Sequence, residues 1–253
     1  RYEVLVPCVC QRRAQRMQSF SDVSLPAVVA HATFENYRPG VAEQEKARNV
    51  AKDFAYGFTK GGVNKGFILS GSVGTGKTHL LAATLSHLVL EVGVQARYVE
   101  ISLLYATIRR GFQDGKSGGE IIGPLSEVEV LAIDELGKGR GSQFEMDTLD
   151  ELIARRYNAG KTTLFATNYS LEPERRGVRS TPNGYRTTED AKNSLRDTEL
   201  LRERVGERIY SRLCEMCTFI EFPKRDDLDK RRHRQQSEPL TTSILRKDRT
   251  DRP

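Results

Sequence analysis

The chain has 253 residues, 38% of them hydrophobic and 29% charged, with a formal net charge of +6. That length accommodates one large domain or two small ones, and the balance excludes a disordered or membrane-embedded chain. No apolar run approaches the roughly 20 residues of a transmembrane helix and no secretion signal is read at the N-terminus, so the expectation is no membrane partner and a cytoplasmic location.

The positive charge is placed at the ends. Residues 1–20 carry +3 and residues 224–253 carry +4, leaving −1 for everything between. Residues 1–32 read as a linker or the remnant of a small zinc module, since Cys8-Val-Cys10 follows an apolar stretch and precedes a basic run. Zinc takes four ligands and this pair supplies two, so a site there requires ligands upstream of Arg1. The second pair, Cys214 and Cys217, lies in the apolar stretch from Ile209 to Phe222 and reads as core packing.

From Thr33 to Pro223 short β-rich runs alternate with longer helical ones. In order they are a strand at Gly66–Ser70, a helix from Lys77 to about Val92, a strand at Ala96–Ile101 and a helix at Leu103–Phe112. A strand at Glu129–Ile133, a helix at Phe144–Asn158 and a strand at Thr162–Thr167 follow. After a long exposed excursion over 171–200, a helix from Leu200 to Cys214 and a strand at Thr218–Phe222 close the body. The alternation predicts an α/β fold with a parallel sheet covered on both faces. Residues 224–253 read as a basic, disordered tail.

Four motifs in this body carry chemistry. The first strand runs into Gly71-Ser72-Val73-Gly74-Thr75-Gly76-Lys77-Thr78, the G-x-x-x-x-G-K-T loop that cradles phosphates, and a helix beginning Lys77-Thr78-His79 follows at once. Glycines let successive N–H groups face phosphate oxygens, Lys77 reaches the β- and γ-phosphates of ATP, and the Thr78 hydroxyl suits Mg²⁺. The strand ending Ile133-Asp134-Glu135 delivers two carboxylates to the same sheet edge, Asp134 for a direct or water-mediated Mg²⁺ contact and Glu135 to polarise the attacking water. Asn168, at the end of the next strand, is placed to bond that water or the γ-phosphate. Arg208 and Arg212, four apart on a helix, suit the γ-phosphate of a neighbouring subunit.

With these residues the sequence resembles the AAA+ family of bacterial helicase loaders and transposition helper ATPases, the DnaC/IstB group. The resemblance covers about Thr33 to Phe222. It rests on Thr33-Phe34-Glu35-Asn36-Tyr37, the phosphate loop, Ile133-Asp134-Glu135-Leu136-Gly137, Thr163-Leu164-Phe165-Ala166-Thr167-Asn168, and Gly206-Glu207-Arg208 with Ser211-Arg212-Leu213. It implies a five-stranded parallel sheet between helices with a reduced or absent C-terminal lid. It also implies Phe34 and Tyr37 near the adenine, Asp134 and Glu135 as the Walker B pair, Asn168 as sensor 1 and Arg212 as the trans-acting finger. Some loaders carry an N-terminal zinc module, which would place Cys8 and Cys10 in its second half. Partners implied are single-stranded DNA, a replicative helicase or a transposase, and further copies of the chain in a homo-oligomer.

Arg109, Arg110 and Lys116, ahead of Gly118-Gly119, are candidate DNA-phosphate contacts. The sequence therefore predicts an ATP-hydrolysing protein that loads or remodels a helicase in DNA replication. A transposition helper of the same fold, and a nucleotide-gated DNA-binding module with negligible turnover, are the alternatives. Asn168 and the Arg208/Arg212 pair argue against a P-loop kinase.

Overall fold

The computed structural model of the protein describes residues 8–171 and 200–222. The expected tail lies outside them, as does the excursion apart from its end residues, and a reduced or absent lid after Phe222 concerns the same undescribed stretch.

Five strands form one parallel sheet in the order β2-β3-β4-β1-β5, where β1 is Gly66–Ser70, β2 Ala96–Glu100, β3 Val130–Asp134, β4 Thr162–Thr167 and β5 Cys217–Glu221. The three central strands are buried along their whole length, which is why Phe67–Leu69, Val130–Ile133 and Leu164–Ala166 read as continuous apolar runs rather than alternating ones. Successive side chains leave opposite faces of the sheet. Phe67, Leu69, Ala132, Leu164 and Ala166 enter a core built with α2 (Ala42–Tyr56) and α3 (Lys77–His87). Ile68, Leu131, Ile133 and Phe165 enter a second core beneath α4 (Ile101–Gln113), α5 (Gly118–Glu127), α6 (Gln143–Asn158), α7 (Leu201–Val205) and α8 (Glu207–Met216).

The departures from expectation have local causes. Where a linker or module remnant is expected, α1 (Val9–Asp22) forms a 14-residue helix that packs on the body. Arg16 donates to the Leu90 carbonyl (2.7 Å), in the π-helical continuation of α3 at Leu88–Val92, and Tyr98 of edge strand β2 donates its N–H to the Val23 carbonyl (2.9 Å). The helix expected over 200–214 is broken at Gly206, whose φ of 80° is left-handed. Gly118 and Gly119 open α5 instead of lying in a loop. Ser117 and Glu120 form a capping box there, each side chain accepting the other's N–H (3.3 and 3.0 Å).

A parallel sheet brings the C-terminal ends of its strands to one edge. The ends of β1, β3 and β4, each followed by polar residues, meet there.

Candidate functional site

A cleft of about 420 Å³ opens at this edge, lined by Val73, Gly74, Gly76, Lys77, Thr78 and His79 from the phosphate loop and α3. Asp134 and Glu135 from β3, Thr167 and Asn168 from β4, and Tyr37 line it too. The loop's shape depends on its glycines. Gly76 has φ 97°, and a Cβ there would lie 2.5 Å from the Tyr37 ring; at Gly71 it would lie 2.6 Å from Phe222. Tyr37 supports the loop from behind, its hydroxyl donating to the Thr75 carbonyl (2.9 Å), and Gln44 donates to the same oxygen (3.2 Å). Burial holds the Tyr37 phenol above its ordinary pKa, so it remains a donor. Lys77 is buried and curls over the loop, donating to the carbonyls of Gly71 (2.7 Å) and Ser72 (2.6 Å).

Asp134 is buried and accepts three hydrogen bonds. The Thr78 hydroxyl (2.7 Å) and the Tyr98 hydroxyl (2.8 Å) reach Oδ2, and the Glu135 N–H (2.8 Å) reaches Oδ1. Burial first, and then the Asp134 charge, push the Tyr98 phenol far above its ordinary pKa. Glu135 sits in left-handed backbone, φ 56°, which a non-glycine residue adopts only when its surroundings impose it. Its carboxylate pairs with Lys138, which also lies 3.6 Å from Glu100. Burial holds the Glu135 carboxyl above its ordinary pKa, helped by Glu100 and opposed by Lys138.

The loop after Glu135 is fixed from two sides. Arg204 donates to the carbonyls of Gly137 (3.1 Å) and Gly139 (2.6 Å) while lying over the Tyr169 ring. The buried Glu145 accepts the N–H groups of Arg140 (2.8 Å) and Gly141 (3.0 Å), and Arg109 donates to its other oxygen (2.7 Å).

These residues fit a nucleotide with its metal. A glycine cradle that a Cβ would fill, a lysine aimed at that cradle, and a hydroxyl and a carboxylate 2.7 Å apart form the oxygen-donor set that Mg²⁺ takes.

The structure gathers most, not all, of the expected residues. Gly71, Ser72 and Thr75 belong to the loop without lining the cleft, and Phe34, expected on the adenine side, is buried in the core and does not line the cleft, whereas Tyr37 does. Arg208 and Arg212 lie away from the cleft on α8, where both reach Asp150 of α6, Arg212 at 2.6 Å and Arg208 at 3.6 Å. Arg109 is engaged by Glu145 and by the Phe144 ring, so of the candidate DNA contacts it carries an internal role as well.

Zinc finds no support. Cys8 and Cys10 are paired with each other at the start of α1, where Cys8 also accepts the Gln11 N–H. Among the described residues no group of three or more His, Cys, Asp or Glu could hold a metal by its own ligands. Of the second pair, Cys217 is in the core as expected, whereas Cys214 is exposed.

Sequence reasoning missed Val28 and Val29, which line the cleft beside Asn36 and Arg38 from a short 3₁₀ turn at Ala27–Val29. It also missed Tyr98, Lys138, Glu145 and Arg204. The exposure of Val28, at 90%, has no sequence signal; Tyr98 had one, an aromatic hydroxyl two residues from the end of a strand bordering the Asp134 strand.

Residues 2–175 match the family model described as IstB-like ATP binding protein. The chain is 30% identical over 164 residues to the replicative helicase loader DnaC of Escherichia coli (strain K12), a match covering 64% of this chain and 66% of that protein, just under two thirds. A crystal structure of the DnaC helicase loader superposes with a TM-score of 0.62 at 25% identity, covering 78% of this chain and all of that one. The DnaI crystal structure has a TM-score of 0.59 at 21% identity, covering 83% and 98%.

Proposed function

The chain belongs to the IstB-like ATP-binding family, with the AAA+ P-loop fold of its helicase-loader neighbours, and from that premise we propose that it is an ATP-hydrolysing helicase loader of DNA replication. In this reading it acts in the cytoplasm as an ATP- and DNA-dependent homo-oligomer that binds single-stranded DNA and loads or remodels a replicative helicase.

The observation that carries the reading is the convergence of Lys77, Thr78, Asp134, Glu135 and Asn168 on one cleft, in a chain 30% identical to a helicase loader. The loop N–H groups and Lys77 bind the phosphates. Thr78 and Asp134 would hold Mg²⁺, which when bound neutralises charge on the phosphate oxygens. Glu135 accepts the proton of the attacking water, and Asn168 orients that water or bonds the γ-phosphate. Arg212, with Arg208 beside it, completes the site of a neighbouring copy. Arg109, Arg110 and Lys116, around the α4–α5 turn, meet DNA phosphates.

The test is ATPase rate against added single-stranded DNA for wild type, Lys77→Ala, Arg212→Ala and a 1:1 mixture of the two variants. DNA stimulation, with activity recovered in the mixture because an intact Lys77 then faces an intact Arg212, supports the reading. A rate indifferent to DNA, with Arg212→Ala as active as wild type, overturns it. The family match favours one second reading, a transposition helper that delivers target DNA to a transposase, which differs in the partner bound and not in the nucleotide chemistry. Pull-down with a replicative helicase against a transposase separates the two.

A further inference from the structure

One of the three hydrogen bonds on Asp134 comes from outside the phosphate loop and the β3 turn. Tyr98 is the third residue of β2 and pairs in register with Ala132, so Asp134 lies two residues along the neighbouring strand on the same face of the sheet, a diagonal that an aromatic side chain spans. Its hydroxyl lies 2.8 Å from Asp134 Oδ2, the oxygen that also accepts from Thr78.

The tyrosine is fixed at both ends. The residue is 8% exposed, in the core that contains Val23, Ala132 and Val130, and its own N–H donates to the Val23 carbonyl after α1. A phenylalanine would fill the same space without burying a hydroxyl, and a buried hydroxyl is costly unless it is bonded. Here it is bonded to the carboxylate whose direction matters most.

We propose that Tyr98 is the positioning residue of the metal-binding carboxylate, holding Asp134 Oδ2 toward Thr78 so that the two oxygens present a preformed pair to Mg²⁺. This rests on the reading of Thr78 and Asp134 as the Mg²⁺ pair. The Thr78 hydroxyl has to turn its lone pair to the metal, which takes its proton away from Asp134. The Glu135 N–H then remains on Oδ1 and Tyr98 on Oδ2, so Tyr98 is the donor that fixes the oxygen facing Thr78 and, with it, the carboxylate's rotation. Partners of this outer kind set metal affinity without touching the metal.

The experiment measures binding of a fluorescent ATP analogue to the full chain as MgCl₂ is titrated, for wild type, Tyr98→Phe and Asp134→Asn, with melting temperatures taken in EDTA. For Tyr98→Phe we expect unchanged analogue binding in EDTA and an Mg²⁺ midpoint raised about tenfold, the lower end of the loss seen when an outer-shell partner is removed. Asp134→Asn should lose the Mg²⁺ response. A Tyr98→Phe midpoint within about twofold of wild type, with Asp134→Asn unresponsive, overturns the proposal and leaves Tyr98 a packing residue, whether or not its melting temperature falls. An Asp134→Asn chain that still responds to Mg²⁺ overturns the metal-pair reading itself, and the proposal with it. Should Tyr98→Phe fail to fold, Tyr98→His, which retains a ring donor, must show a midpoint nearer wild type than Tyr98→Leu.

Discussion

Arg212 of α8 donates to Asp150 of α6 at 2.6 Å, and the same carboxylate has Arg208 at 3.6 Å on its other oxygen. One aspartate thus holds the fork of the finger candidate at a fixed angle, with Arg212 mostly covered and Arg208 largely exposed. The pair is partly exposed, so its own contribution to stability is expected to stay within about 1 kcal/mol. If Arg212 is the finger, the value of the pair lies in orientation. Arg212→Ala is expected to lower DNA-stimulated ATPase by about a hundredfold or more. Asp150→Asn should lower it several-fold, with analogue binding unchanged in both. Steady-state ATPase beside equilibrium nucleotide binding checks this, and a nucleotide-binding defect in either variant would place the pair in the wrong role.

Glu135 and Lys138 make the second prediction. In a left-handed turn the Glu135 carboxylate is held by Lys138 three residues on, with Glu100 as a competing carboxylate. Glu135→Gln is expected to leave ATP binding intact and abolish turnover. Lys138→Met, which keeps the aliphatic stem, should raise the DNA-independent rate several-fold by releasing the base. Single-turnover hydrolysis with and without DNA reads both effects, and an unchanged basal rate in Lys138→Met would show that the ion pair does not restrain Glu135.

How much of the molecule is legible in its sequence follows from how each feature is encoded. The central strands, the phosphate loop and the residues ending β3 and β4 were legible because burial on both faces writes an apolar run and a parallel sheet must deliver its polar ends to one edge. β4 was expected at Thr162–Thr167 and is found there. Helix α1 was not legible. None of its residues is fully buried; Phe20 packs in part against the core, and the helix is held besides by Arg16 on a carbonyl of the α3 continuation and by main-chain pairing after it, interactions that composition does not carry. Arg109 shows the limit at the site. Its position on a basic helix end suggests DNA, while its partner Glu145 lies 36 residues away and becomes visible only when α4 and α6 are side by side.

Arg156 carries a stability prediction. It is fully buried and, among the described residues, has no carboxylate as a hydrogen-bond partner: it donates to the carbonyls of Leu125, Ser126, Val128 and Thr162 and to the Thr163 hydroxyl. These acceptors are the C-terminal end of α5 and the start of β4, so the guanidinium ties helix to sheet. Burial pulls its pKa down to about 9, still above neutrality, and the side chain stays charged at pH 7. Arg156→Met leaves those carbonyls buried without donors and is expected to cost about 3 kcal/mol, or about 10 °C in melting temperature. Arg156→Lys should not restore it, because one ammonium cannot serve acceptors on both sides of the planar fork. Thermal denaturation of the three proteins decides this, and a Lys variant as stable as wild type would refute the planar-fork argument.

Glu145 gives the pH dependence. Burial raises its pKa, but the Arg109 guanidinium and the N–H groups of Arg140 and Ser142 outweigh it and hold the carboxyl below its ordinary value. A folded pKa below the unfolded one means that the group binds fewer protons in the folded state. Its stabilisation is therefore fully present above the unfolded value of about 4.3 and is lost as pH falls through the lower folded value. Glu145→Gln should be less stable than wild type at pH 7 by about 1–3 kcal/mol. The gap should narrow as pH falls below about 4.3 and close only below the lower folded value, where the wild-type carboxyl is protonated too. Melting temperature against pH for the two chains tests the sign, and a gap that widened in acid would contradict it. Because Glu145 also fixes the loop that follows Glu135, the same variant should reduce turnover at pH 7. Arg109→Ala should reproduce part of that loss without DNA present, whereas Arg110→Ala, which lacks the Glu145 partner, should weaken single-stranded DNA binding alone. Removing one arginine that meets a DNA phosphate should make the slope of log affinity against log salt shallower by about 0.7. An Arg109→Ala chain that loses DNA affinity with an unaltered basal rate would separate its surface role from its hold on the loop.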